Sequence, residues 1–253
     1  MRWLAFFLIL ASIFNAACIT GGTRVEPAAR TDSPEETITD ETNQPPFQSK
    51  EPEKYQAKIV FAFKWDETNP QLIEQTTFVA RDGLNRRLDF EGGANKRQIS
   101  RLETEDGKSF LLAPQRRIYA QISESASEIL IEIGAPEEYS LGHLLYAKPS
   151  EAKFQKIGAE IVDGKQLTKY LVDFGAVRES EIARTETAVW IDENLGLPVK
   201  TEITSIIDQK PSGAKSVVEL RDFKSEPDAG VFKIPTDFRR VSVKEFQEII
   251  KSK

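Results

Sequence analysis

The stretch "KIVFAFKW" alternates Ile59, Phe61, Phe63 and Trp65 on one side with Lys58 and Lys64 on the other. A period of two is the mark of a strand with one apolar and one solvated face. The pattern recurs down the chain. "RRLDFEG" sets Leu88 and Phe90 against Arg87, Asp89 and Glu91. "RQISRLETE" runs to Asp106-Gly107, "SFLLAP" follows, and a turn at Pro114-Gln115 leads into "RRIYAQI". An Asp-Gly between alternating runs is a strong hairpin signal. The spacing predicts an antiparallel meander of about six strands by Ile122.

The second half repeats the theme. "KIGAEIVDGKQLTKYLVDF" reads as a hairpin turning at Asp163-Gly164, and "ETAVWIDENLGLPVKTEITSI" as another turning around Glu193 to Gly196. "KSVVELRDFK" is a further strand, and "VSVKEFQEIIKSK" an amphipathic C-terminal helix. Between the halves, roughly residues 123 to 153, alternation is lost and Leu141, Leu144, Leu145 and Phe154 suit one or two helices. The expected total is ten or eleven strands in one mainly β (α+β) domain, residues 55–253. Trp190, Leu197 and Val199 are core candidates, and Gly164 and Gly196 supply turn conformations.

Ahead of the strands the texture differs. Arg2 precedes "WLAFFLILASIF", in which only Ser12 is polar. A charged start and a short apolar run form an export signal, too short to span a bilayer, which takes about 20 apolar residues. Residues 1–17 are therefore read as a signal peptide. Residues 19–54 hold one aromatic, Phe47, with four basic and eight acidic residues, a net charge of −4. Such a segment lacks the apolar surface to fold alone. As a flexible coil its root-mean-square span is about 30 to 36 Å.

Chemistry-bearing residues are scarce. One cysteine, Cys18, forms no internal disulfide, and the single histidine, His143, weakens every histidine-based catalytic or metal proposal. As a lone histidine it is read as packed or surface-exposed. Acid pairs such as Glu103-Glu105 and Glu137-Glu138 are expected by chance among 40 acidic residues. Net charge −6 argues against a partner held through phosphates. The expectation is no enzyme, no cofactor, no metal and no nucleic acid. Arg86-Arg87, Arg116-Arg117 and Arg239-Arg240 form three arginine pairs, and in a strand each pair splits between the faces. They are read chiefly as strand-end surface charge, with an inward guanidinium on a headgroup or carboxylate as the alternative.

Around the lone cysteine, Asn15, Ala16, Ala17 and Cys18 resemble the cleavage box of a bacterial lipoprotein signal, with Asn15 where an aliphatic residue is usual. The resemblance implies that Cys18 carries a diacylglycerol and an amide-linked chain such as palmitate, with residues 18–54 as the tether. Ordinary signal cleavage, leaving Cys18 a stray thiol, is the other reading. Ile19 after the cysteine favours the outer membrane, facing the periplasm.

"DGKSFLLAPQRRIY" (106–119), "VDGKQLTKYLVDF" (162–174), "VWIDENLGLPVKTEI" (189–203) and "VFKIPTDFRRVS" (231–242) resemble, in this order, the LolA/LolB-like superfamily of periplasmic lipid and lipoprotein carriers. The resemblance implies a strongly curved antiparallel sheet, an unclosed half-barrel with helices over its concave face. It also implies a ligand of lipid or lipoprotein acyl chains. Ile59, Phe61, Phe63, Trp65, Leu88, Phe90 and Ile118 are then the expected apolar cavity lining. The alternative from a different class is an envelope sensor or scaffold that uses the same sheet to bind a protein partner.

Overall fold

The structure is a computed structural model that describes residues 41–48, 50–64, 72–92, 97–123, 152–173, 183–207 and 210–252. Cys18, Trp65, His143, the pair Glu137-Glu138 and Leu141, Leu144 and Leu145 of the expected central helices lie outside these residues, whereas Phe154, grouped with those leucines, is a strand residue paired with Val172.

Six strands fill the first half, as the alternation predicts. They are β2 (Lys54–Lys64), β3 (Leu72–Asp82), β4 (Asn85–Gly92), β5 (Arg97–Glu103), β6 (Ser109–Ala113) and β7 (Ile118–Ile122). A short strand, β1 (Glu41–Thr42), precedes them. The second half supplies β8 (Lys153–Val162), β9 (Lys165–Asp173), β10 (Ala183–Asp192), β11 (Leu197–Ile207) and β12 (Lys210–Lys224). A two-residue β13 (Arg239–Arg240) and helix α1 (Val243–Lys251) end the fold.

All of these strands join one sheet in the order β1-β8-β9-β10-β11-β12-β2-β3-β4-β5-β6-β7-β13. Every pairing is antiparallel except β13 on β7. The two ends of the sheet do not meet, so this is a mainly β, unclosed half-barrel. The turns follow the chemistry read from sequence. At β8–β9, Asp163 and Gly164 both take positive φ, 50° and 78°, between the partners Val162 and Lys165. That is the conformation Asp-Gly serves in a two-residue hairpin. At Asp106-Gly107, Lys108 and Thr104 hold the Asp106 carboxyl down to about 2, Lys108 contributing most.

Helix α1 forms because Val243, Phe246 and Ile250 recur at helical spacing while Ser242 caps the start. Ser242 Oγ accepts the Glu245 N–H at 3.1 Å. Phe246 and Ile250 pack on Phe90, Ile99, Leu111 and Ile118. At the other end, Arg97 donates to the carbonyls of Ile249, Ile250 and Ser252. We call the side of the sheet that carries α1 the helix face. Directly paired residues share a face, so the register assigns every strand position to one side or the other.

The opposite face has its own cover. After β12 the chain crosses from β2 to β7. Asp228 exchanges hydrogen bonds with the Gln56 side chain (2.7 and 2.6 Å), Arg87 donates to the Val231 carbonyl (2.8 Å), and the Val241 N–H reaches Tyr119 O (2.9 Å).

Residues 41–48 and 50–53, which composition assigns to the tether, lie against the sheet. Glu41 and Thr42 pair with Gln155 and Phe154. Phe47 packs edge-on to Phe154 at 5.7 Å and touches the cluster of Tyr55, Ile59 and Leu197. The Gln48 N–H donates to Gly196 O at 2.8 Å. One aromatic gives an otherwise polar segment enough apolar surface to hold on to a neighbour, which average composition does not register.

Candidate functional site

Six of the seven expected lining residues are described, and all six fall on the helix face. Along β2 that face carries Tyr55, Ala57, Ile59, Phe61 and Phe63. Across the ladder Ala57 pairs with Val79, and Val79 with Leu88. Phe90 pairs with Ile99, and Ala113 with Ile118. The sheet therefore brings Ile59, Phe61, Phe63, Leu88, Phe90 and Ile118 to one side.

Their burial divides them. Phe90 and Ile118 are sealed under α1. Ile59 is buried with Tyr55, Ala57, Val79 and Leu197, and Leu88 packs between the two clusters. Phe61 and Phe63 are only half-buried. The helix face thus changes along β2 from fully packed near Tyr55 to partly open near Phe63.

The open end continues over neighbouring strands. Phe61 pairs with Val218, and Phe63 with both Ile73 and Ser216. Ser216 pairs with Ile203, which pairs with Thr187. Ile73, Phe63, Ser216, Ile203 and Thr187 therefore form one row over five strands, about 19 Å across at the usual strand spacing. Ile73 is 52% exposed, Ile203 38% and Ile207 47%. Scattered apolar residues on a surface need no explanation, but a contiguous set on one face is a candidate binding region. Ile73, Ile203 and Val218 did not stand out in the sequence. Each sits in a strand, but only the register reveals that they share a face with Phe61.

By register, the helix face of β3, β2, β12, β11 and β10 holds no ionisable side chain between Arg81 at one end and Lys210 at the other. Arg81 is engaged by the segment ahead of β2. Its Nη1 lies 3.1 Å from Glu51 Oε2, which also receives Arg86 Nη2 at 2.6 Å. Tyr55 donates to the other Glu51 oxygen at 2.6 Å. Burial pulls the Arg86 guanidinium down, yet the hydrogen bond and charge of Glu51 outweigh it and hold the group above its ordinary value.

Four other arginines of the pairs also have partners. Arg87 points to the opposite face and meets Asp89 at 2.8 Å. Arg117 reaches Asp237, Arg239 reaches Glu245, and Arg240 donates to Gln121. Of the acid pair Glu103-Glu105, Glu103 bonds Arg101 at 2.6 Å.

The opposite face under β8–β11 is a charged ladder built on Trp190. The indole N–H donates to Glu160 Oε2 at 2.7 Å, while Lys169 and Lys200 sit 5.1 and 4.7 Å from the ring centroid. The Trp190 hydrogen bond, against desolvation and with help from Lys169 and Lys200, keeps the Glu160 carboxyl below its usual range. A depressed carboxyl stabilises the fold above its unfolded pKa, and the contribution is lost as pH falls through the folded one. Acid titration is therefore expected to disturb this ladder below about pH 4.3, the ordinary glutamate value. Glu160→Gln should flatten the acid limb of stability measured by urea unfolding, and an unchanged limb would contradict the assignment.

Among the described residues no group of three metal-ligating side chains comes together, and no helix is long and apolar enough to cross a membrane.

Compared with known proteins, the chain matches no family model and no curated protein. Solved structures similar to it include an uncharacterised conserved protein of Thermus thermophilus, with 10% identity and a TM-score of 0.36 over 75% of this chain and 90% of that one. A LolA superfamily protein of Nitrosomonas europaea has 13% identity and a TM-score of 0.28, covering 73% and 91%. A Vibrio parahaemolyticus domain assigned to outer membrane lipoprotein sorting has 11% identity and a TM-score of 0.26, covering 79% and 92%.

Proposed function

We propose that this chain is a lipid-anchored envelope protein whose helix face binds or relays a hydrophobic ligand, a lipid or the acyl chains of another lipoprotein. The observation that carries the reading is the gradient along β2. The helix face is sealed near Tyr55 and opens at Phe61, Phe63, Ile73 and Ile203. Burying such surface yields about 25 cal/mol per Å². In this reading residues 1–17 direct export, Cys18 carries the lipid, and the domain works at the outer membrane facing the periplasm. The chain holds or passes its cargo and performs no chemistry on it.

Native mass spectrometry of the full chain, extracted in mild detergent, should find co-purifying lipid. Ile203→Asp together with Val218→Asp should lower binding of a fluorescent fatty acid about tenfold or more, because each places a charge on the apolar face. Cys18→Ala should move the protein from the membrane to the soluble fraction. A chain that repeatedly emerges without lipid and binds no fatty acid defeats the reading. A single stoichiometric protein partner in its place points to the scaffold instead.

A further inference from the structure

We infer that the open part of the helix face takes a neutral aliphatic chain and leaves any charged headgroup outside the sheet. The inference deepens the proposed function and rests on it. Its basis is the asymmetry between the two sides of the same five strands.

On the opposite face, β2, β11 and β12 carry Lys58, Lys200, Glu202, Lys215, Glu219 and Arg221. Their charges are matched in ion pairs, such as Lys58–Asp222 at 2.6 Å and Arg221–Glu219. On the helix face the same strands offer Phe61, Val218, Ile203 and Thr201, with Ser216 and, from the neighbouring β3, Gln75 as uncharged polar neighbours. Arg81 is held by Glu51, Glu53 and the backbone carbonyls of Glu51, Pro52 and Gly83. Arg86 is spent on the same Glu51. Lys210, paired with Ile207 at the rim, lies beyond the row of Phe63, Ser216 and Ile203.

A charged group laid on this face loses its hydration and, among the described residues, meets no free counter-charge between Arg81 and Lys210, which is costly. An aliphatic chain loses nothing there, and the half-buried hydroxyls of Ser216 and Thr201 accommodate a neutral ester or alcohol. Binding of such a ligand is carried by apolar burial and is nearly independent of ionic strength.

The test is displacement of the neutral dye N-phenyl-1-naphthylamine from the full chain, held below the critical micelle concentration of a mild detergent. Hexadecanol and palmitate are compared at neutral pH in about 0.05 and 0.5 M salt. The expected result is that hexadecanol binds at least as tightly as palmitate, with less than about a threefold change between the salts. Ser216→Lys, which puts a cation between Phe63 and Ile203, should reverse the order and favour palmitate about tenfold, with a salt dependence the parent lacks. A parent that prefers palmitate about tenfold or more overturns the neutral-chain inference and leaves the lipid-binding reading standing. A Ser216→Lys chain that gains no palmitate preference overturns it too. If neither ligand displaces the dye, the proposed function falls and takes the inference with it.

Discussion

Trp190→Ala is expected to destabilise the domain by about 3–5 kcal/mol, the cost of emptying a large buried aromatic site. Trp190 is 4% exposed and packs with Leu167 and Ala188 on the face opposite α1. The substitution also frees Glu160 from its indole donor, and leaves Lys169 and Lys200 without the ring they flank. Those polar losses are small, because Glu160 is 44% exposed and surface charges are well screened. Most of the effect is therefore packing. Trp190→Phe separates the parts: it keeps most of the apolar volume and removes the N–H, so it should cost about 1 kcal/mol from the hydrogen bond plus a modest packing loss. Urea unfolding followed by circular dichroism measures both. Equal losses for the two variants would mean that the hydrogen bond, not the volume, holds the ladder together.

Much of this architecture is written in the first-order pattern of the chain. The period of two placed β2 and β4 to β7, because each has one face against a core and one against water, and the count of about six left room for β3, whose residues had not been singled out. Asp-Gly placed two hairpins, because few other residue pairs adopt positive φ cheaply. The eleven long strands match the expected ten or eleven, and the amphipathic spacing after Val241 gave the C-terminal helix. What the pattern did not contain is equally specific. β13 is two residues long and pairs in parallel, held by Arg239 and Val241 backbone bonds to Arg117 and Tyr119, and no side-chain period marks it. The bulge between Trp190 and Ile191 shifts the β10–β11 register and was invisible to alternation.

The candidate site was half legible for the same reason. Alternation correctly grouped Phe61 with Ile59 and Leu88 with Phe90, but it is blind to what lies above them. Phe90 and Ile118 are closed off by a helix more than a hundred residues downstream, whereas Phe61 and Phe63 stay half-buried. Ile203 and Val218 join them through two further registers that a single strand does not encode. Glu51 gave no signal at all, since a glutamate in a polar acidic stretch looks like any other.

That unremarked glutamate leads to the second large effect. Glu51→Ala is expected to cost about 3 kcal/mol, at the lower end for breaking a buried ion pair because Arg86 remains 39% exposed. The Glu51 side chain is 10% exposed and the Arg81 side chain 14%, so removing the carboxylate leaves a nearly buried guanidinium beside a second one, with the exposed Glu53 as the carboxylate still bonded to it. Tyr55 loses its acceptor in the same step. Glu53→Ala is the matched control. It also removes a carboxylate 3.1 Å from Arg81, but one that is 58% exposed, and should cost less than about 1 kcal/mol. The contrast matters for the segment ahead of β2. Arg81 donates to the carbonyls of Glu51 and Pro52 as well as to the carboxylate, so its guanidinium fastens the chain where it enters the sheet. Losing Glu51 should therefore loosen residues 41–53 before it unfolds the sheet, and amide exchange at Gln48, bonded to Gly196 O, should quicken more than exchange at Leu111 under α1. Equal acceleration at both amides would show that the Glu51 cluster braces the whole sheet, and a cost as small as that of Glu53→Ala would show that it braces neither.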